Sequence, residues 1–398
     1  LIMPNRPNSR AVSATPLADA VRRFTDETII PNEPVLARGG DLAARRMREL
    51  MREARAAGLW GVFYPAELGG KITSLAEYLP VAEQEGRSEY GPAIFGSRAT
   101  VDVHMLHRHA SAAIRERFLA PLAAGEITGA YAVSEPDSIG SVPSTINAAA
   151  TLANGTWLVS GRKWFVSRAK HAAFVTVVAR TKKDSAQDHR FSMIVVPTET
   201  AGFCVEQEIE ILGRPQGQCK LSFDQVAVPA SHLLGQADQG LDLMRERLDL
   251  GRTLNAMHWL GLAQRCFDMM CERIGSQRGT LARLPEKQLV RQHAFDVYHA
   301  IVSARAHLRL AAGHLDTPTD AEVEVNMAKV AASRALSLAV DSAIQIFGAE
   351  GVSDATPLSS IYRTARTTRI LDGADEVLIN AVGRQILQRY AARKAEAA

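Results

Sequence analysis

The sequence predicts an α+β protein, mainly α, with an N-terminal helical domain, a central β-barrel-like domain and a C-terminal four-helix bundle. Two observations predict it. Apolar residues recur at helical spacing at both ends of the chain, and the middle consists of short β-branched and aromatic runs bounded by turn residues. The divisions fall at residues 1–126, 127–236 and 237–398, and a chain of 398 residues can bury cores of that number.

Met47, Leu50, Met51, Ala54 and Ala57 mark one N-terminal helix, before the loop Tyr64-Pro65-Ala66-Glu67-Leu68-Gly69-Gly70. A second helical stretch runs from Ser111 toward Leu122, with Gly125 as its stop. Trp157-Leu158-Val159, Phe174 to Val178 and Phe191 to Val196 read as strands, and so do Leu221-Ser222-Phe223 and Val226-Ala227-Val228, with Pro229 as the end. Past Gly240, helices are expected over 241–276, 286–314, 321–347 and 374–392. Ala-rich stretches such as Met327 to Ala339 suit close helix packing.

Composition narrows the function. A hydrophobic fraction of 46% and a charged fraction of 22% belong to a globular protein. A net charge of +3 gives little to draw a polyanion, so no nucleic-acid partner is expected. The basic pairs Arg45-Arg46 and Lys182-Lys183 read as solvated surface. Cys204, Cys219, Cys266 and Cys271 form no CxxC pair and read as reduced, mostly packed thiols in a cytoplasmic setting. No run of about eighteen apolar residues occurs, so no membrane insertion is expected. No leader of signal-peptide shape is expected at the N-terminus either.

Familiar motifs are missing. No GxGxxG follows a strand, and there is no GxxxxGK[ST], HExxH or GxSxG. Asp102, His104, His107 and His109 look like a ligand cluster, but on a helix His104 and His107 share one face while Asp102 and His109 point the other way. No metal site is expected there.

What remains is a set of segments at the boundaries between the three regions: YAVSEPDSIGS (131–141), GRKWFVS (161–167), EILGRPQGQCKLSFDQVAVP (210–229), GLAQRCFDMMCER (261–273), DSAIQIFGAEGV (341–352) and RILDGADEVLINAVGRQIL (369–387). On these the sequence resembles the acyl-CoA dehydrogenase family over about residues 15–390. Within that family it is most similar to the subgroup that includes the dehydrogenase domains of large kinase-fused proteins, which carry an Asp base in a DGxDEV loop. The resemblance implies FAD lying between the β domain and the C-terminal bundle, with its adenosine end reaching a neighbouring subunit. It also implies an acyl-CoA substrate, electron-transferring flavoprotein as acceptor, and a homodimer or dimer of dimers.

Residue by residue, the resemblance implies that Tyr131, Val133 and Ser134 bond the pyrimidine edge of the flavin, with Ser134 in place of a common Thr. Phe165 stands where a Trp usually walls the ring, and Ser167 where a hydroxyl meets N5. Gln345, Gly348 and Ala349 match the stretch near the diphosphate, and Arg273 and Arg278 are alternative phosphate clamps. Ser141, Asp249, Arg252 and Gly373 fall in the acyl-CoA subsite.

Asp372 matches the family's catalytic Glu and is one methylene shorter. It would take the α proton while the β hydrogen leaves as hydride to flavin N5, giving a trans-2-enoyl thioester. A helix-capping role for Asp372 or Asp375 is the competing reading. Thr280-Leu281, Ala374 and Val142 depart from the family pattern. The same architecture also supports nitroalkane oxidase-like or monooxygenase chemistry, or a flavin-binding homologue without dehydrogenase activity.

Overall fold

The computed structural model describes residues 15–183, 189–317 and 319–396. The opening segment, where no leader is expected, lies outside them, as do the side chains of Lys182 and Lys183.

The N-terminal region holds helices α1 (Pro16–Phe24), α2 (Gly40–Ala56), α3 (Leu75–Glu85) and α4 (Thr100–His109), joined by connections that include short helical segments. Local chemistry starts two of them. Thr15 caps α1 by accepting from the Ala18 amide, and Ser74 caps α3 by accepting from Glu77. The expected helical periodicity of α2 buries Leu50 and Ala54. The stretch after Ser111 is helical through Ala123, and Gly125 at φ +65° closes it.

The middle of the chain forms one sheet: β1 (Gly129–Ala132), β2 (Ala149–Ala153), β3 (Thr156–Ser167), β4 (Phe174–Lys183), β5 (His189–Pro197), β6 (Phe203–Ile211), β7 (Arg214–Pro229) and β8 (Leu233–Leu234). Its order is β6-β7-β3-β2-β4-β5-β8, with β1 parallel to β4. The barrel-like expectation is wrong. Closure requires the two end strands to pair, and neither β6 nor two-residue β8 does so; β2 and β4 share the single register pair Ala149–Arg180. The sheet is open. The stretches 174–179 of β4 and 191–196 of β5 are mostly apolar because both faces are covered. Phe174, Val178, Phe191, Met193 and Val195 face a core shared with α4, while Val175, Val177, Ile194 and Val196 face the sheet's own core.

The C-terminal region contains α5 (Gly240–Gly275), α6 (Gln288–Leu315), α7 (Glu322–Phe347), α8 (Leu358–Thr368) and α9 (Asp375–Glu396). Four of these were expected; α8 was not. By length and composition α7 could cross a membrane. Here it is a core helix that buries Asn326, Lys329 and Ser333 along with its apolar residues.

One apolar core runs through α1, α3, α5, α6 and α7. α3 and α5 cross so closely that a Cβ on Gly261 would lie 1.9 Å from the Glu83 carbonyl oxygen. Ion pairs reinforce the contact: Arg265 with Glu33 at 2.7 Å, Arg305 with Glu83 at 2.7 Å, and Arg87 with Asp26 at 2.9 Å and Asp268 at 2.8 Å. Asp316 at the end of α6 accepts from Leu75 N at 2.7 Å and Ala76 N at 3.0 Å, anchoring the start of α3.

Candidate active site

Asp372 lies in the turn between α8 and α9 at φ +57°, a conformation that an aspartate tolerates better than most side chains but that still needs support. That support comes from α5. Arg252 Nε donates to the Asp372 carbonyl at 2.7 Å, and Asn255 Nδ2 donates to its carboxylate at 2.6 Å. Gly373 follows at φ +99°; a Cβ there would lie 3.0 Å from Leu378 and 3.3 Å from Arg252, so glycine is required.

In place of helix amides, both carboxylates of the capping alternative engage side chains from other helices. The Asp372 carboxylate is engaged by Asn255. Asp375, the first residue of α9, is fully buried against Lys329 at 2.8 Å and Ser333 at 3.1 Å. Lys329 Nζ also donates to the Gly373 carbonyl at 2.8 Å. A buried lysine, itself held below the usual ammonium range by that burial despite Asp375, thus ties the turn to α7.

Asp249 and Arg252 occupy one face of α5 beside this turn. Arg252 Nη1 donates to Asn326 at 3.2 Å and lies 3.7 Å from Asp249. Burial pushes the Asp249 carboxyl up to about 6 despite Arg252, and its Oδ1 accepts no hydrogen bond. Ser141 is exposed, in a loop where Thr145 bridges Ile139 and Val142.

On the sheet side, β1 carries Tyr131, whose buried hydroxyl has no hydrogen-bond partner. Burial above all, with Asp102 and Asp372 adding against Arg247, raises the Tyr131 phenol and keeps it a donor. Val133 and Ser134 follow. Their backbone is fixed by a buried pair absent from the sequence reading: Lys163 donates to the Val133 carbonyl at 2.8 Å and to Glu135 at 2.9 Å. The Ser134 carbonyl accepts from Trp164 N at 3.0 Å. Phe165 sits in a bulge of β3 at φ +50°, is 46% exposed, and touches Trp164. It is not a core residue. Ser167 Oγ accepts from Gln218 at 2.9 Å.

The third group of sequence-derived residues lies elsewhere. Arg273 is on α5 after Arg252, about 32 Å further along the helix axis. Arg273 and Arg278 both donate to one oxygen of Glu350, at 3.2 and 3.0 Å, beside exposed Gln345, Gly348 and Ala349. A carboxylate therefore already occupies the space between the two candidate clamps.

The cluster Asp102, His104, His107 and His109 disperses. Asp102 pairs with Arg247 at 2.6 Å, His104 donates to the Phe63 carbonyl at 2.7 Å, and His109 bonds Glu246 at 2.8 Å. Among the described residues no group of His, Cys, Asp and Glu is placed to hold a metal.

Three family models match in order: acyl-CoA dehydrogenase N-terminal domain over 14–126, middle domain over 130–226 and C-terminal domain over 238–387. The chain belongs to the acyl-CoA dehydrogenase family. It is 31% identical to mouse acyl-CoA dehydrogenase family member 11, with 94% of this chain and 50% of that protein covered. The chain thus spans about half the length of that relative. It is 33% identical to the probable acyl-CoA dehydrogenase FadE2 of Mycobacterium tuberculosis, covering 86% of each. A solved structure assigned as an acyl-CoA dehydrogenase from Mycobacterium abscessus superposes with a TM-score of 0.84 at 31% identity, covering 97% of this chain and 100% of that one. The match to family member 11 agrees with the subgroup read from the sequence.

Asn255, Asn326, Arg247, Glu135 and Lys163 were missed. Only "GRKW" and "SEP", whose charged residues form the buried pair, could have hinted at the last two.

Proposed function

We propose that this protein is an FAD-dependent acyl-CoA dehydrogenase that forms a trans-2,3 double bond in an acyl-CoA thioester. The observation that carries the reading is the Asp372 turn: a half-buried carboxylate in a strained backbone, held from α5 at both its carbonyl and its side chain. Strain held by surrounding bonds is typical of residues whose position does chemistry.

The residues present fit a flavin ring. Tyr131 offers an unsatisfied donor, Phe165 an exposed aromatic face, and Ser167 a hydroxyl on the same sheet. Bound FAD would supply the hydride acceptor. This chain's own part is the proton: Asp372 removes it from Cα, while Asn255 holds the carboxylate and Arg252 holds the backbone carbonyl behind it. Asp249 and Arg252 orient the thioester, and Gly373 lets the turn approach it. The substrate leaves one proton and one hydride poorer.

The exposed Arg278, Gln345, Gly348 and Ala349, far along α5 from Asp372, support a cofactor site completed by a second subunit in a homodimer or dimer of dimers. Electron-transferring flavoprotein is the acceptor we assign from the family resemblance. Four unpaired thiols, Cys219 and Cys266 buried, Cys204 and Cys271 exposed, support a cytoplasmic setting.

The test is anaerobic titration of the flavoprotein with saturated acyl-CoAs of varied length and branching. Bleaching of the oxidised-flavin band is expected, and Asp372→Asn should keep FAD but abolish bleaching. A loaded protein that no thioester bleaches sinks the proposal; unchanged bleaching in the variant moves the base elsewhere.

A further inference from the structure

Lys163 on β3 is fully buried, and its ammonium donates to the Val133 carbonyl at 2.8 Å and to Glu135 Oε1 at 2.9 Å. Glu135, also buried, accepts from the Asn147 and Ala148 amides at 2.6 and 2.8 Å, so its carboxylate closes the loop that leads to β2. That fastening accounts for Glu135. It leaves the bond from Lys163 to Val133 without a purpose.

The next carbonyl, that of Ser134, accepts from Trp164 N at 3.0 Å. Two neighbouring residues of β3 therefore grip two neighbouring carbonyls of the segment after β1. Between those carbonyls lies the Ser134 N–H, which donates to no group among the described residues. It shares one peptide unit with the Val133 carbonyl. None of the described peptide bonds is cis, so this N–H points away from the oxygen that meets Lys163. An ammonium on a carbonyl makes a charge-assisted bond, about twice as strong as a neutral one. Hydrogen bonds in series also polarise one another. Lys163 thus makes the open Ser134 N–H a stronger donor than an ordinary amide.

The surroundings point to what that donor meets. Ser134 is half-buried, the buried Tyr131 hydroxyl just before it is a second donor without a partner, and Phe165 and Ser167 follow Trp164 on β3. A hydride brings one negative charge to a neutral ring system, and a preorganised donor favours the arrival of that charge. We propose that Lys163 is a positioning residue for the flavin, strengthening through the Val133–Ser134 peptide a donor that makes reduction of the bound cofactor more favourable. The inference rests on the flavin-holding part of the reading above and deepens it.

The experiment measures the two-electron potential of the holoprotein against a redox dye, with no thioester present, and urea unfolding of the same samples. Lys163→Gln keeps a donor but loses the charge, while Lys163→Met/Glu135→Gln removes both charges and strands neither. Both should make reduction about tenfold less favourable, a fall of about 30 mV for two electrons. Lys163→Arg should restore part of it. Glu135→Gln keeps the ammonium, so it should lose stability yet hold the reduction equilibrium within about threefold of the parent. Lysine variants that stay within that range would overturn the proposal, as would an equal fall in Glu135→Gln. Lysine variants that fail to fold would make the pair purely structural and overturn it too. A chain that takes up no FAD removes the inference together with the cofactor. One that holds FAD but is bleached by no thioester loses the dehydrogenase reading alone, and the potentials still decide the role of Lys163.

Discussion

Lys329→Met tests how the base is held. Lys329 and Asp375 are both fully buried, 2.8 Å apart, and the same ammonium donates to the Gly373 carbonyl. The substitution leaves the buried carboxylate with Ser333 in hydrogen-bond contact and, further off, Arg369 at 3.5 Å and Arg334 at 3.9 Å. Removing one partner of a buried pair costs about 3–5 kcal/mol. The turn carrying Asp372 loses its tie to α7 as well, and a shift of roughly 1 Å at a reacting group costs on the order of a hundredfold in rate. Urea unfolding followed by tryptophan fluorescence reads the first effect; stopped-flow bleaching by a saturated acyl-CoA reads the second. The double variant Lys329→Met/Asp375→Leu removes both charges. It should recover much of the stability without recovering the rate, because the bond to Gly373 stays lost. The reasoning is refuted if the single variant unfolds within about 1 kcal/mol of the parent, or if the double variant bleaches at the parental rate.

Three further outcomes are expected. Gly373→Ala, forced into positive φ against Leu378 and Arg252, should lower stability by about 1–3 kcal/mol and slow bleaching more than tenfold, and unchanged kinetics would show that the turn has slack. Burial lowers buried Lys163 to about 8, against the help of Glu135. Between that value and the unfolded lysine's pKa the unfolded chain binds more protons, so this group's contribution to stability rises with pH. From pH 7.5 to 9.5 the parent should gain about 2 kcal/mol relative to Lys163→Met, and a flat difference would mean that Lys163 titrates normally. Arg273→Ala should weaken FAD retention on gel filtration more than Arg278→Ala, because Arg273 packs 5.3 Å over Phe347 while Arg278 is largely exposed. Full retention by both variants removes the clamp.

Much of the candidate site could be proposed from the sequence because its parts are local. Asp372-Gly373, Tyr131 to Ser134 and Phe165 to Ser167 are short segments whose order along the chain carries the information. What holds them was not legible. Asn255 meets Asp372 across 117 positions, and Lys163 meets Glu135 across 28. No periodicity connects such pairs. Phe165 was identified as a ring wall, whereas its left-handed backbone comes from a register shift between β3 and β7 that no residue type announces. Alternation located the strands, since it reports which face each side chain takes, but it is silent on whether the first and last strands meet. Hence the barrel expectation failed. Helix α8 escaped because it is short and mostly polar.

The apolar core common to α1, α3, α5, α6 and α7, cross-stitched by Glu33–Arg265, Glu83–Arg305 and Asp26–Arg87–Asp268, makes both ends of the chain one cooperative body around an inserted sheet. Backbone amides in α3 and in the middle of α5 should exchange with deuterium through the same opening event, despite lying more than 150 residues apart. Folding must therefore wait for the second half of the chain to be made. A ribosome releasing only the first half would present a row of helices whose apolar side has nothing to close upon.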